Sequence, residues 1–114
     1  MSARQLNAAT RESAPVFAAL GDRHRLRLVA RLCGGEPLSI TQLTSGAGVT
    51  RQAITKHLQV LAAAGLVRAF RNGRESLWEL RPQQLREARR YLEVISRQWD
   101  DALERLNSAV GAEE

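Results

Sequence analysis

The sequence predicts a mainly α fold carrying one small β-hairpin, and three observations predict it. Apolar residues recur at helical spacing through most of the chain. Residues 66–80 instead alternate with a period of two around Asn72-Gly73, the strongest short hairpin signal present. In the last third, apolar residues are spaced 3, 4, 3, 4, 3, 4, which is a heptad seam. With 114 residues, the chain is one domain's worth, read as residues 1–12 an N-terminal extension, 13–81 a compact core unit, 82–107 a long helix and 108–114 a tail. Hydrophobic residues at 44% and charged residues at 25% argue against disorder.

From the N-terminus, residues 1–12 are polar, and a frayed segment is expected. Ser13 can cap a short helix with Pro15 in its first turn and Val16, Phe17 and Leu20 on its apolar face. Asp22 caps a second helix with Leu26, Val29, Ala30 and Cys33 as its inward stripe, and Gly34-Gly35 and Pro37 end it. Residues 38–40 are long enough only for a β-bridge. Thr41 can cap a short helix with apolar positions Leu43 and Ala47, broken by Gly48. Thr50 caps the next helix, running from residue 51 to about 64, with Ala53, Ile54, Leu58 and Leu61 inward and Gly65 as its stop. Two short helices joined by a glycine-containing turn are a helix-turn-helix signature. Strands over residues 66–71 and 75–80 follow, so the helix-turn-helix is expected to carry a wing. Pro82 opens the last helix, whose seam is Leu85, Ala88, Leu92, Ile95, Trp99, Ala102 and Leu106, widened by Tyr91 and Leu103. That helix would be about 37 Å long, more than so small a unit can cover, and a second copy of itself is the economical occupant of the seam. The fold class is therefore a winged helix-turn-helix with an N-terminal helix and a long C-terminal dimerisation helix.

The net charge is +5, and Lys56 is the only lysine among 17 basic residues. The excess is +3 over residues 1–36, +4 over 37–81 and −2 over 82–114, so it avoids the tail and favours the winged segment. A cationic middle and an acidic end suit a polyanion-binding unit with an appended scaffold. On the second helix of the pair, the outward face is Arg51, Gln52, Thr55, Lys56 and Gln59. Each can donate a hydrogen bond and none is acidic. Arg reads guanine O6/N7, Gln reads adenine N6/N7, Thr meets phosphate or a thymine methyl, and Lys meets phosphate or guanine. The helix N-terminus adds a partial positive charge. A recognition helix in the major groove of double-stranded DNA is the functional reading, and a solvated polar face is the bland one.

The chain resembles the ArsR/SmtB family of small winged-helix repressors. The resemblance runs through Val16-Phe17-Ala18-Ala19-Leu20-Gly21-Asp22, Arg25-Leu26-Arg27-Leu28-Val29, the stretch from Val49 to Leu58, Leu61, Ala64-Gly65-Leu66-Val67, Asn72-Gly73-Arg74 and Leu80, covering roughly residues 13–107. It implies a homodimer built on the terminal helices, with Phe17 beside the seam, that occludes a pseudo-palindromic operator. The implied DNA contacts are Thr50, Arg51, Gln52, Thr55 and Lys56, with Arg71, Asn72, Gly73 and Arg74 from the wing. His57 matches a family histidine, and its role stays open between touching DNA and packing.

Metal-sensing members carry Cys-x-Cys followed by Asp where this chain has Ser39, Thr41 and Gln42, and hydroxyls and an amide cannot make a soft thiolate site. Asp100, Asp101 and Glu104 lie on the last helix with no histidine nearby, and a solvated acidic face is expected there. His24 and His57 fall on different helices with no evident partner. No metal and no cofactor is expected. The single cysteine, Cys33, excludes an internal disulfide and reads as a small buried hydrophobe, with a thiol-responsive repressor as the alternative. Tyr91 and Trp99 read as core or interface anchors rather than ligand-cavity walls. A protein-interaction module is a competing function. Enzymatic activity is not expected, because there is no nucleophile elbow, phosphate loop or spaced His–carboxylate pair. No run approaches a membrane span, and residues 14–21 make a poor signal peptide, so a cytoplasmic protein is expected.

Overall fold

In the computed structural model, which describes residues 1–113, eight elements follow one another: α1 (Ala3–Leu20), α2 (Arg23–Leu32), β1 (Leu38–Ser39), α3 (Ile40–Thr44), α4 (Arg51–Ala63), β2 (Val67–Asn72), β3 (Glu75–Leu80) and α5 (Pro82–Glu113). The three strands form one antiparallel sheet in the order β1-β3-β2. The fold is a winged helix-turn-helix with a long C-terminal helix, as its residue periodicities predict.

α1 begins ten residues earlier than Ser13. Ser2 and Gln5 form a capping box, with the Ser2 hydroxyl accepting from Gln5 N–H at 3.2 Å and Gln5 Oε1 accepting from Ser2 N–H at 2.8 Å. Pro15 lies inside the helix, not in its first turn. Pro15 and the residue one turn back, Arg11, are both exposed, so the carbonyl that loses its helical donor is not buried. Leu6, Ala9, Ser13, Val16, Phe17 and Leu20 form one covered stripe. Phe17 tilts against Tyr91 with ring centroids 6.0 Å apart, and the Thr10 and Tyr91 hydroxyls are hydrogen-bonded at 3.2 Å. The expected frayed extension is therefore a helix docked along α5.

α2 is capped by Asp22 as expected, but its covered face is Leu28, Val29 and Leu32. Leu26 and Cys33 are exposed. Val29 belongs to both stripes; the observed one adds Leu28 and Leu32, which bury more apolar area than Leu26, Ala30 and Cys33 would. α3 is capped by Ser39, not Thr41, and Ala47 falls in the turn beyond it. α4 ends in a Schellman motif, in which Leu66 N–H reaches Leu61 O and Gly65 N–H reaches Ala62 O, both at 3.0 Å. Gly65 supplies the positive φ of 77° that this motif requires.

Leu43, Ile54, Leu58, Leu61 and Leu66 are almost fully buried, and Val16, Leu28 and Val67 join them in one core between the helices and the base of the wing. The hairpin register pairs Val67 with Leu80 and Asn72 with Glu75. The loop is therefore Gly73-Arg74 rather than Asn72-Gly73, and only Gly73 has a positive φ, at 65°. Glycine at the first central position of a two-residue loop matches the right-handed strand twist.

α5 runs past residue 107, so the segment expected as a tail is helical to Glu113. Ala88 is buried inside the chain's own core and Leu85 packs against that core, which removes Ala88 from the face open to a partner. Beyond them Leu92, Trp99, Leu103, Leu106 and Val110 are exposed. The molecule measures 68 × 30 × 21 Å and its radius of gyration is 18.9 Å, against about 13 Å for a compact chain of this length. None of its helices is long and apolar enough to cross a membrane among the described residues.

Candidate nucleic-acid interface

α4 presents its N-terminal turn outward because Thr50 closes it: the Thr50 hydroxyl accepts from Ala53 N–H at 3.1 Å. Ile54, Leu58 and Leu61 anchor the opposite face in the core. This leaves Arg51, Gln52, Lys56 and Gln59 exposed. Thr55 is half-buried and donates to Arg51 O at 3.0 Å, so its proton is committed within the helix. No carboxylate occurs on α4.

The wing brings two more guanidinium groups to the same side. Arg51, Arg71 and Arg74 line one open cleft of about 660 Å³ between the start of α4, α3 and the hairpin, together with Thr41 and Ser76. Arg51 Nη1 reaches Thr41 Oγ1 at 3.4 Å, and Arg71 Nη1 reaches Arg74 O at 3.4 Å. Both contacts are long and leave most donors of each fork free for an outside acceptor. Glu75 is the one acidic residue on the cleft wall. Asn72 and Gly73 are exposed at the hairpin tip. Of the predicted residues, the structure brings Arg51, Arg71 and Arg74 together on this cleft; Gln52 and Lys56 are exposed on α4 outside its wall, and His57 is turned away from solvent.

His57 turns toward α2, with its side chain 20% exposed. Arg25 Nη1 donates to its Nδ1 at 3.3 Å, its ring lies 5.6 Å from that of His24, and the Asp22 carboxylate is 4.0 Å from the same nitrogen. The geometry seats His57 in this cluster between α4 and α2, apart from the exposed row of Arg51, Gln52 and Lys56. Asp22 itself caps α2, accepting from His24 N–H at 2.8 Å and Arg25 N–H at 3.1 Å. The Arg25 N–H bond, foremost, holds its carboxyl below the usual value. The His24 N–H bond and the neighbouring His57 and Arg25 side chains act the same way, while partial burial opposes them. Sequence reasoning missed this cluster because its members come from two helices, joined only when α2 packs on α4.

Ser39 and Gln42, which align with ligand positions of the metal-sensing pattern, are engaged in a capping box. Gln42 N–H donates to Ser39 Oγ at 3.2 Å and Ser39 N–H to Gln42 Oε1 at 2.9 Å. Cys33, placed by its spacing on the buried stripe, is exposed at the end of α2.

A helix-turn-helix whose second helix exposes hydrogen-bond donors and no carboxylate, beside a basic wing, defines a DNA-binding transcriptional regulator of the winged-helix class. Comparison with known proteins agrees and narrows the class. A family profile described as a helix-turn-helix domain matches residues 20–68. YuzN of Bacillus subtilis (strain 168), an uncharacterized HTH-type transcriptional regulator, is 40% identical over 65 residues, which are 52% of this chain and 71% of that one. Among solved structures, an ArsR-like transcriptional regulator from Rhodococcus sp. RHA1 superposes with a TM-score of 0.74 at 37% identity, covering 89% of this chain and 94% of that one. The homodimeric winged helix-turn-helix DNA-binding domain of Mb0332 from Mycobacterium bovis, a possible ArsR-family regulator, superposes with a TM-score of 0.63 at 25% identity, covering 92% and 93%. The chain belongs to the ArsR family of transcriptional regulators.

Proposed function

We propose that the protein is a homodimeric repressor that binds a pseudo-palindromic operator in double-stranded DNA. It acts in the cytoplasm by occluding a promoter, without catalysis and without the family's thiolate metal site. The observation that carries the reading is the convergence of Arg51, Arg71 and Arg74 on one open cleft at the start of α4, a helix without carboxylates. Arg51 and Gln52 read base edges, Thr50, Thr55 and Lys56 serve phosphate or methyl contacts, and the wing arginines hold the backbone. The exposed apolar rod of α5 supports pairing with a second copy, as does the homodimeric state of the Mycobacterium bovis domain. Leu92, Ile95, Trp99, Ala102 and Leu106 supply the open part of that interface. Leu85 and Phe17 stand at its edge, because they already pack within their own chain.

Selection from randomised duplexes tests the reading. It should return two related half-sites about one helical turn apart, with affinity falling linearly in log salt. A monomer in sedimentation together with no enriched consensus would refute it, and would favour a protein-interaction module.

A second reading rests on the exposure of Cys33: a repressor that responds to thiol oxidation. Alkylation of the native dimer tests it. A Cys33 that resists a small alkylating reagent, or a dimer whose DNA affinity is untouched by peroxide, ends that reading.

A further inference from the structure

A second cavity lies away from the DNA-facing cleft. It encloses about 130 Å³ between α2, α3 and the turn that leads into α4. Its floor is Leu28, Leu43 and Ile54, each nearly fully buried. Its rim carries His24, Arg27 and Arg31, and no carboxylate lines it. Arg27 and Arg31 stand one helical turn apart on α2, so their side chains reach the same mouth. Arg31 Nη1 donates to the carbonyls of Gln42 and Leu43 at 2.9 and 3.2 Å, which holds the guanidinium over the end of α3. Arg27 has no hydrogen bond or ion pair among the described residues.

Size and chemistry together define an occupant. An apolar cavity of about 150 Å³ takes up benzene, so this one suits a body of similar size. An apolar floor alone would accept any small hydrocarbon. Two unneutralised guanidiniums at the mouth select one whose other end is a planar oxyanion, which a guanidinium fork grips in bidentate fashion. We propose that this cavity binds a small organic carboxylate of roughly the size of an aromatic ring, and that the ligand acts as an effector of DNA binding. The effector role rests on the reading of α4 as the recognition helix; the binding role does not. Leu43 belongs to α3 and Ile54 to α4, so an occupant touches both helices of the helix-turn-helix at once. A carboxylate also competes for Arg31, which otherwise ties α2 to the last carbonyls of α3. Binding therefore differs in strength between arrangements of α2 and α4, which is the requirement for coupling one site to another.

Benzoate is the probe, titrated into the full-length, isotopically labelled protein without DNA. Amide resonances of Leu28, Leu43, Ala47 and Ile54 should shift and saturate in the millimolar range or below. Benzamide, of the same shape and uncharged, should bind at least about tenfold more weakly, as should benzoate to the Arg27→Ala variant, whose substitution lies on the surface. In a second arm, saturating benzoate should change the affinity for a selected duplex. Inorganic phosphate in place of benzoate should not reproduce the shifts, because it leaves the apolar floor unfilled. Benzoate shifts that do not saturate, equal binding of benzamide, or shifts centred on α5 would each overturn the site. So would an Arg27→Ala variant that binds benzoate normally while showing a shallower salt dependence on DNA, since Arg27 would then be a phosphate contact. Saturable benzoate binding in a protein that fails to bind any duplex would leave the site standing and remove the recognition-helix reading instead.

Discussion

Trp99→Ala is the sharpest test of the paired assembly. The folded chain exposes 8201 Å², against about 6,200 Å² for a compact monomer of 12.6 kDa. The excess of about 2,000 Å² arises because α5 extends beyond the winged unit as a bare rod, and an interface of standard size needs only about 800 Å² from each partner. Trp99 is the largest side chain on that rod and stands 65% exposed. Since a tryptophan buries 150–250 Å², roughly 130 Å² of it is still available to a partner. At about 25 cal/mol per Å² this is roughly 3 kcal/mol per protomer, or roughly 6 kcal/mol for the symmetric pair as an upper bound. The variant should therefore weaken dimerisation by several orders of magnitude, measured by sedimentation equilibrium over a concentration series. Far-UV circular dichroism should stay near wild type, because Trp99 lies outside the core. Dilution of the wild type should also red-shift tryptophan emission, with Trp99 reporting and the half-buried Trp78 largely silent. A Trp99→Ala dissociation constant within about twofold of wild type would refute the reasoning, because a buried indole cannot be removed from an interface that cheaply.

Three further outcomes are expected. Arg51→Ala and Gln52→Ala should each cost about 1–3 kcal/mol on the selected duplex and relax base preference at one position per half-site, read by competition with single-base variants. Arg74→Ala should weaken all duplexes evenly and reduce the slope of log affinity against log salt by about one per protomer, read by fluorescence anisotropy; an unchanged slope would remove the wing arginine from the phosphate contacts. Asp22→Ala should lower the thermal midpoint at neutral pH by uncapping α2. The Asp22 carboxyl is held below its ordinary value of 3.8 in the folded state, so its contribution is complete above that value and is lost as pH falls through the lower, folded one. The gap in melting temperature between wild type and variant should therefore close in acid, and a gap independent of pH would show that capping is not the cause.

The winged helix-turn-helix and the exposed polar, carboxylate-free row on α4 were legible in the linear sequence because they rest on local rules. Thr50 caps α4, Gly65 ends it, Gly73 turns the hairpin, and helical periodicity separates Ile54, Leu58 and Leu61 from Arg51, Gln52 and Lys56. Each of these signals acts within a few residues of itself. Tertiary packing settled what local rules leave degenerate. α2 offers two apolar stripes that share Val29, and packing against α1, α4 and β3 selects the one with Leu28 and Leu32, which puts Cys33 in solvent. Ala88 follows the same heptad as Trp99, yet the winged unit covers one and leaves the other bare. His57 shares a helix with the DNA-facing residues but meets Arg25 and His24 from α2. Arg71 and Arg74 lie 20 and 23 residues beyond Arg51 in sequence, and only the folded hairpin carries them to one cleft. Spacing along the chain specifies which residues share a face; what that face meets depends on the competition among all apolar surfaces for burial, which is decided only when the elements assemble.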